Sequence, residues 1–216
     1  MKIETMRVRL TFIDSILGGE PNDKELHATY IQGQIPDDRY TPEELEAIKA
    51  EEIDALMEGD PKGRTVFYRD ADGNPCLKNN HILGFFKSAC GALRNNPGSL
   101  SGKVTAYKRE IDNMIKVFEN ADDKANRFIR IQNAGEVGSC QRPLRAQTAQ
   151  GERVAIADSD EIGAGAFVEF DVVMLKHSKK PIGRELIEEW LDYGIFSGLG
   201  QWRNSGHGAF TYEVIE

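Results

Sequence analysis

A chain of 216 residues is long enough to bury one large core, and it is read as a single domain spanning 1–216. Its 27 Lys and Arg against 35 Asp and Glu give a net charge of −8, which counts against nucleic-acid binding by the surface as a whole. No apolar run reaches the length of about 18 residues needed to cross a membrane, and Cys76, Cys90 and Cys140 lie far apart with no C-x-x-C pair, so neither a zinc centre nor a disulfide framework is expected.

The charge is segregated along the chain. Residues 1–77 hold 9 basic and 17 acidic side chains, 78–153 hold 13 and 7, and 154–216 hold 5 and 11. A middle third of net +6 between acidic flanks can concentrate a positive groove on an acidic protein. The opening residues, MKIETMRVRL, carry no apolar stretch of the secretory kind, and the expected location is cytoplasmic.

In chain order, residues 6–13 alternate, with Val8, Leu10 and Phe12 against Arg7, Arg9 and Thr11, the pattern of a half-buried strand that ends at Gly18-Gly19. A helical turn or two is expected over 24–32. Thr41-Pro42-Glu43-Glu44 is a capping box with proline at the first helical position, and it opens a helix that stops at Gly59. The seven carboxylates of that helix mark an acidic insertion over 36–63, read as a solvated face, with a partner-docking or nucleic-acid-mimicking surface as the sharper alternative. The stretch VFYRDADGNPCLKNNHILG then predicts a short strand, an Asp-Gly turn, a few extended residues and a helix, with Asn79 or Asn80 placed to cap it. Asp70-Ala71-Asp72-Gly73 is half a calcium loop without the remaining ligands, and a hairpin turn is the expectation.

The helix predicted over 81–94, HILGFFKSACGALR, has two unlike faces. Ile82, Phe85, Phe86, Ala89, Cys90 and Leu93 recur at three- and four-residue spacing and predict burial against a sheet. Gly84, Lys87, Ser88, Gly91 and Arg94 share the other side, where two cations flank positions with almost no side chain, a face suited to phosphate or else merely solvated. Beyond it, 95–102 is a loop, 103–118 passes from helix into strand, and 127–131 is a short strand. The segments 141–147 and 153–156 flank Gln150-Gly151 and predict a hairpin within a hairpin-rich insertion over 120–160. Its proline, Pro143, suits an edge strand. Arg142 and Arg145, with Gln141 and Gln147, form the densest patch of planar hydrogen-bonding groups in the chain, suited to phosphates and base edges or, equally, to guarding an exposed edge. A strand follows over 167–175 and a helix over 182–193, with Leu186, Ile187, Trp190 and Leu191 inward and Gly194 as its C-terminal cap.

The last loop holds Gly198, Gly200, Gly206 and Gly208 around Trp202 and Arg203. These glycines follow a helix and precede the final strand, which is the wrong place for a dinucleotide site, and no P-loop motif occurs. Trp202 beside Arg203 suits stacking on a base and pairing with a phosphate, or burial of the indole in the core. His207 lies in the same loop without an identifiable catalytic partner. The order strand, helix, strand at each end of the chain predicts an α+β fold, a ferredoxin-like (RRM-like) antiparallel sheet with helices on one face and inserted helical and hairpin segments.

These pieces, in this order, resemble the RAMP superfamily of CRISPR proteins, most closely the backbone subunits of type III effector complexes. Those proteins carry a strand ending in Arg-Asp, a turn with Gly-x-Pro, a helix of the form I-x-G-S-x-K-G-x-x-R and a late glycine loop before the last strand. The counterparts here are Arg69-Asp70, Gly73-Asn74-Pro75, the helix from Ile82 to Arg94, and Gly198 to Gly208. Leu17-Gly18-Gly19 and the turn from Glu161 to Gly165 match two further points of the pattern. Phe85-Phe86 stand where the family carries small hydroxyl residues, and the acidic insertion precedes the Arg-Asp strand.

The resemblance implies a ferredoxin-like fold and a protein that binds single-stranded, crRNA-like RNA. It also implies assembly along RNA as a homo-oligomer or with CRISPR effector subunits. Lys87, Ser88, Gly91, Arg94, Arg142, Arg145, Trp202, Arg203 and the glycines at 198, 200, 206 and 208 are then the RNA-binding residues. Target-cleaving members keep an aspartate a few residues ahead of the Arg-Asp strand. The matching position here holds Arg64, with Asp60 the nearest carboxylate, so the chain reads as a binder without catalytic residues, metal or cofactor. A phage-type inhibitor that mimics a backbone subunit and a metal-dependent endoribonuclease are the alternatives.

Overall fold

The computed structural model describes residues 2–22, 64–148, 151–176 and 182–215, without the side chains of 144–155. The expected helical turns at 24–32, the acidic helix at 41–59, the insertion at 36–63, Asp60, His27, His177 and the hairpin tip at 149–150 lie outside these residues.

Strand β1 (Lys2–Phe12) follows from the alternation of its sequence, with Met6, Val8, Leu10 and Phe12 buried. It pairs antiparallel with β11 (Phe167–Lys176) on one side and with β12 (Phe210–Ile215) on the other. Strand β7 (Ile115–Phe118) pairs antiparallel with the far edge of β11. Helix α1 (Asn79–Leu93) lies between β1 and β7 in the chain, and helix α3 (Arg184–Asp192) between β11 and β12. The result is a β-α-β-β-α-β succession with strand order β12-β1-β11-β7, a mixed α+β architecture on an antiparallel sheet. Beyond β11 the sheet continues through β8 (Phe128–Gln132), β6 (Pro75–Lys78) and β5 (Tyr68–Arg69).

Both long helices bury the faces their spacing predicts. Ile82, Phe85, Phe86, Ala89 and Cys90 of α1 and Leu186, Ile187, Trp190 and Leu191 of α3 join Val8, Leu10, Val168, Phe170 and Val172 in one core, while Leu93 is only partly buried. Phe85 meets Phe210 edge-on with ring centroids 5.1 Å apart, and Phe86 meets Trp190 at 5.5 Å. Each aromatic side chain buried in this way contributes about 1.5–3 kcal/mol. Trp190 donates its indole N–H to Ser101 Oγ at 2.9 Å, so the core tryptophan is Trp190.

Two expected caps are corrected. Position 78, not an asparagine, precedes α1, and Asn79 instead uses its side-chain amide to donate to the Val117 carbonyl at 3.3 Å. Gly194 is not a left-handed cap. It lies in a 3-10 turn, Tyr193–Ile195, and a Cβ there would run into the Phe210 ring, so close approach to the sheet is what requires glycine.

A second sheet stands beside the first. Strand β10 (Gly151–Ile162) forms the predicted hairpin with β9 (Gly138–Thr148), from Thr148↔Gly151 to Gly138↔Glu161. Among the described residues β9 pairs only with β10, the edge placement that Pro143 tolerates. The other side of β10 meets β2 (Ile16–Leu17) and runs parallel to β4 (Arg64–Val66), which pairs in turn with β3 (Glu20–Pro21). A Cβ on Gly18 would lie 2.6 Å from the Val66 carbonyl carbon, so the Gly18-Gly19 turn brings two backbones together. The chain crosses between sheets at buried Phe67 and then makes the expected turn, where the Asp70 carboxylate accepts from the backbone N–H groups of Asp72 and Asn74 at 3.0 and 2.8 Å.

Candidate nucleic-acid interface

The predicted site residues fall into two groups. The first lies on α1, where helix α2 (Tyr107–Met114) crosses the polar face. Lys87 Nζ is 2.5 Å from Asp112 Oδ1, the Arg94 guanidinium lies 5.4 Å from the Tyr107 ring centre, and a methyl group at Gly91 would come within 2.9 Å of Tyr107 Oη. The small residue at 91 therefore makes room for Tyr107. Lys87 already has a carboxylate, Ser88 and Arg94 stay exposed, and Gly84 faces open space. Asp112 and Tyr107 were missed as partners because they lie on the next helix, outside the periodicity of α1.

The second group surrounds the glycine loop. Gly198 and Gly208 pack backbone against backbone, and a Cβ on Gly200 would strike the Leu17 carbonyl. Backbone hydrogen bonds from Gln201 N to Leu17 O (3.2 Å), Gly208 N to Ser15 O (2.7 Å) and Leu199 N to Gly208 O (3.0 Å) tie the loop to β2 and to itself. Three of the four glycines thus serve close packing, while Gly206 has only Asp14 Oδ2 nearby, at 3.6 Å from a built Cβ. What the folded loop presents outward is Trp202 and Arg203, both exposed. His207 is partly buried, its Nδ1 3.1 Å from Ser15 Oγ and its ring 6.3 Å from that of Trp202.

Arg142 enters this loop from β9. It is 4% exposed, and its guanidinium carbon lies 3.9 Å from the centre of the Trp202 ring. Nη2 donates to Ser159 Oγ at 3.1 Å and to Gln201 Oε1 at 3.4 Å, while Nε and Nη1 are buried without a hydrogen-bond partner. Burial holds this guanidinium below its ordinary pKa, with the Cys140 thiol as the opposing influence. Strand alternation turns the aspartates on either side of Ser159 away from the guanidinium. Arg142, Cys140 and Ser159 share one face of the β9–β10 ladder, whereas Ser139 and Gln141 bond Asp158 on the other, at 2.6 and 3.4 Å. Asp160 also faces away and pairs with Arg64 at 2.8 Å and Arg69 at 3.7 Å. Arg64 additionally donates to the Gly138 carbonyl at 3.0 Å, so it is a structural cation at the sheet junction. Arg145 stands in β9 opposite Val154. Gln201 and Ser159, which hold Arg142, were missed in the sequence because nothing in their local pattern announces the contact.

On the sheet face that the helices leave uncovered, Arg7 pairs with Asp171 at 3.1 Å and Glu169 at 3.4 Å, and Arg9 with Glu169 at 2.6 Å while lying over Phe167. Among the described residues no three His, Cys, Asp or Glu side chains gather as a metal site, and no helix is long and apolar enough to cross a membrane.

No protein-family model matches the chain, and no curated protein matches it. Among solved structures the chain is similar to one in the "Cryo-EM structure of the Type III-B Cmr-beta bound to cognate target RNA", at 11% identity and a TM-score of 0.47. That likeness covers 100% of this chain and 60% of the other, so the chain spans less than two thirds of its neighbour's length.

Proposed function

We propose that this protein binds single-stranded RNA without cleaving it, as a backbone-type RAMP subunit built on a ferredoxin-like sheet. In this reading 1–216 is one domain, 36–63 and 120–160 are insertions, and copies of the chain or CRISPR effector subunits assemble along the RNA. The carrying observation is Arg142, a buried guanidinium with two unpartnered donors, stacked beneath the half-exposed Trp202 and beside Arg203. An indole open to stacking next to two cations for which no described carboxylate forms an ion pair suits a base and its phosphate. Arg94 and Ser88 on α1 extend the contact, and Arg145 lies on the same strand as Arg142. The absence of cleavage rests on Arg64, a cation bonded to Asp160 and Gly138 where the resembled nucleases keep an aspartate.

The test is retention of a labelled single-stranded oligoribonucleotide by anisotropy, with Trp202→Ala and Arg203→Ala as variants. Losing one stacked base costs about 1–3 kcal/mol, so Trp202→Ala should weaken RNA binding by about five- to 150-fold. Protein that purifies free of nucleic acid and retains no RNA would remove this reading in favour of a subunit mimic. Shortened RNA after incubation with magnesium would remove the non-cleaving part.

A further inference from the structure

A buried arginine with orphaned donors calls for an explanation, because unpaired buried charge is among the most costly features a fold can carry. Asp158 and Asp160 lie on the opposite face of the β9–β10 ladder, no described carboxylate forms an ion pair with Arg142, and its Nε and Nη1 are buried without a hydrogen-bond partner. What seals the guanidinium on one side is a single side chain, the indole of Trp202 at 3.9 Å. Trp202 sits in the left-handed region, φ 55° and ψ 26°, a conformation disfavoured for a bulky residue. Gly200 at φ 80° anchors the loop on Leu17 before it, while Gly206 at φ 97°, with only Asp14 Oδ2 nearby, follows it and permits backbone rotation. The outer part of the loop, 202–206, is exposed throughout.

We infer that Arg142 is a closed anion site for an RNA phosphate, with Trp202 as the lid that the phosphate displaces. This rests on the RNA-binding reading for its occupant, though not for the existence of the site. An entering phosphate supplies acceptors to Nε and Nη1, which have none, while Ser159 and Gln201 keep Nη2 in place. The displaced indole exchanges its cation for a base, and Arg203, next in the chain, reaches the adjacent phosphate. A carboxylate from a protein partner would offer the same oxygens, but it would leave the freed indole and Arg203 without use.

Two tryptophans make the test direct, because Trp190 is fully buried and only Trp202 can change its environment. The full chain is titrated with inorganic pyrophosphate and, separately, with a single-stranded oligouridylate, reading tryptophan emission and acrylamide quenching. RNA retention is measured independently by anisotropy. Pyrophosphate should raise the acrylamide quenching constant at least about twofold, the oligouridylate should lower the emission as a base stacks on the freed indole, and Arg142→Met should abolish both responses. Trp202→Leu, which keeps the cation and removes the lid, should tighten pyrophosphate binding by about tenfold, since the closed fraction no longer competes. It also serves if Arg142→Met does not fold. RNA retained with emission and quenching unchanged overturns the closed site and leaves the RNA reading standing. A pyrophosphate response that depends on Arg142, with no RNA retained, keeps the anion site and overturns RNA as its occupant. Weaker pyrophosphate binding in Trp202→Leu, or no response to either ligand, overturns the lid.

Discussion

Arg142→Met should stabilise the fold while weakening RNA binding. Methionine follows the path of the arginine stem and needs no hydrogen bonds. The guanidinium leaves two buried donors unpartnered, each costing about 2 kcal/mol, so their removal returns about 4 kcal/mol. Against this stand the stack on Trp202, about 2 kcal/mol when desolvated, and the bond to Ser159, about 1 kcal/mol. The Gln201 contact at 3.4 Å is weak and its side chain is only partly buried, and Ser159 keeps its partner Thr65 Oγ1 at 2.7 Å, so the change adds little further cost. The net gain is about 1 kcal/mol, or roughly 3 °C in melting temperature for a domain of this size. Calorimetry reads that shift, and RNA titrations at several salt concentrations should show the slope falling by about 0.7, one phosphate contact. Arg142→Ala is the contrasting variant, since truncation leaves a void and should lower both stability and affinity. A melting temperature reduced by several degrees in Arg142→Met would refute the reasoning, because it would mean the guanidinium is satisfied in solution.

On α1, Arg94→Ala should reduce the salt slope of RNA binding by about 0.7, whereas Lys87→Ala should leave it nearly unchanged, because Lys87 is held by Asp112; equal effects would refute this division. Burial pushes the Glu189 carboxyl up, but hydrogen bonds from Ser101, Leu100 and Ser99 outweigh it and hold the group below its ordinary value. Its stabilisation is therefore present above the ordinary glutamate pKa and is lost as pH falls through the lower folded value, so urea midpoints should fall on acidification more steeply in the wild type than in Glu189→Gln. Burial pushes the Cys76 thiol up to about 12 and the Cys90 thiol also up, so a thiol reagent at neutral pH should modify Cys140 first and reach the other two only on unfolding.

Periodicity carried most of the fold. The two-residue alternation of 6–13 and 167–175 and the helical spacing in 81–94 and 182–193 name the residues that meet in the core, since burial of one face is what selects each pattern. The hairpin was legible over 141–147 and 153–156 from its turn and its proline, and the ladder extends it to 138–162. Less legible was anything set by one element lying on another. Gly194 looks like a cap from its place after a helix, and only the Phe210 ring shows otherwise. The glycines at 198, 200 and 208 suggest a ligand cradle, yet the loop closes on itself and on Leu17. Charges were hardest to place. Asp158 and Asp160 lie beside Ser159 in the chain, but alternation turns them away from the Arg142 that Ser159 holds, a division that only the ladder register reveals.

Placement also decides which arginines can take a phosphate. Sheet-based RNA binders stack bases on the face that helices leave open, and here that face carries Arg7 and Arg9. Each is held by Glu169 or Asp171, and Asp171, only 7% exposed, also accepts from the Ala121 N–H at 2.7 Å. A phosphate arriving there must displace a carboxylate fixed beside the same cation, whose effective concentration far exceeds that of any free strand. Arg142 meets no such competitor, because what lies over its guanidinium is an uncharged ring. On the proposed reading, pairing with Glu169 and Asp171 keeps the open sheet face from holding phosphate, and the junction of β9 and the glycine loop is where the anion would go. Neutralising one of the open-face carboxylates, as in Glu169→Gln, should then add phosphate affinity at Arg9 and steepen the salt slope of RNA binding by about 0.7, and a slope left unchanged would show that pairing is not what keeps that face silent.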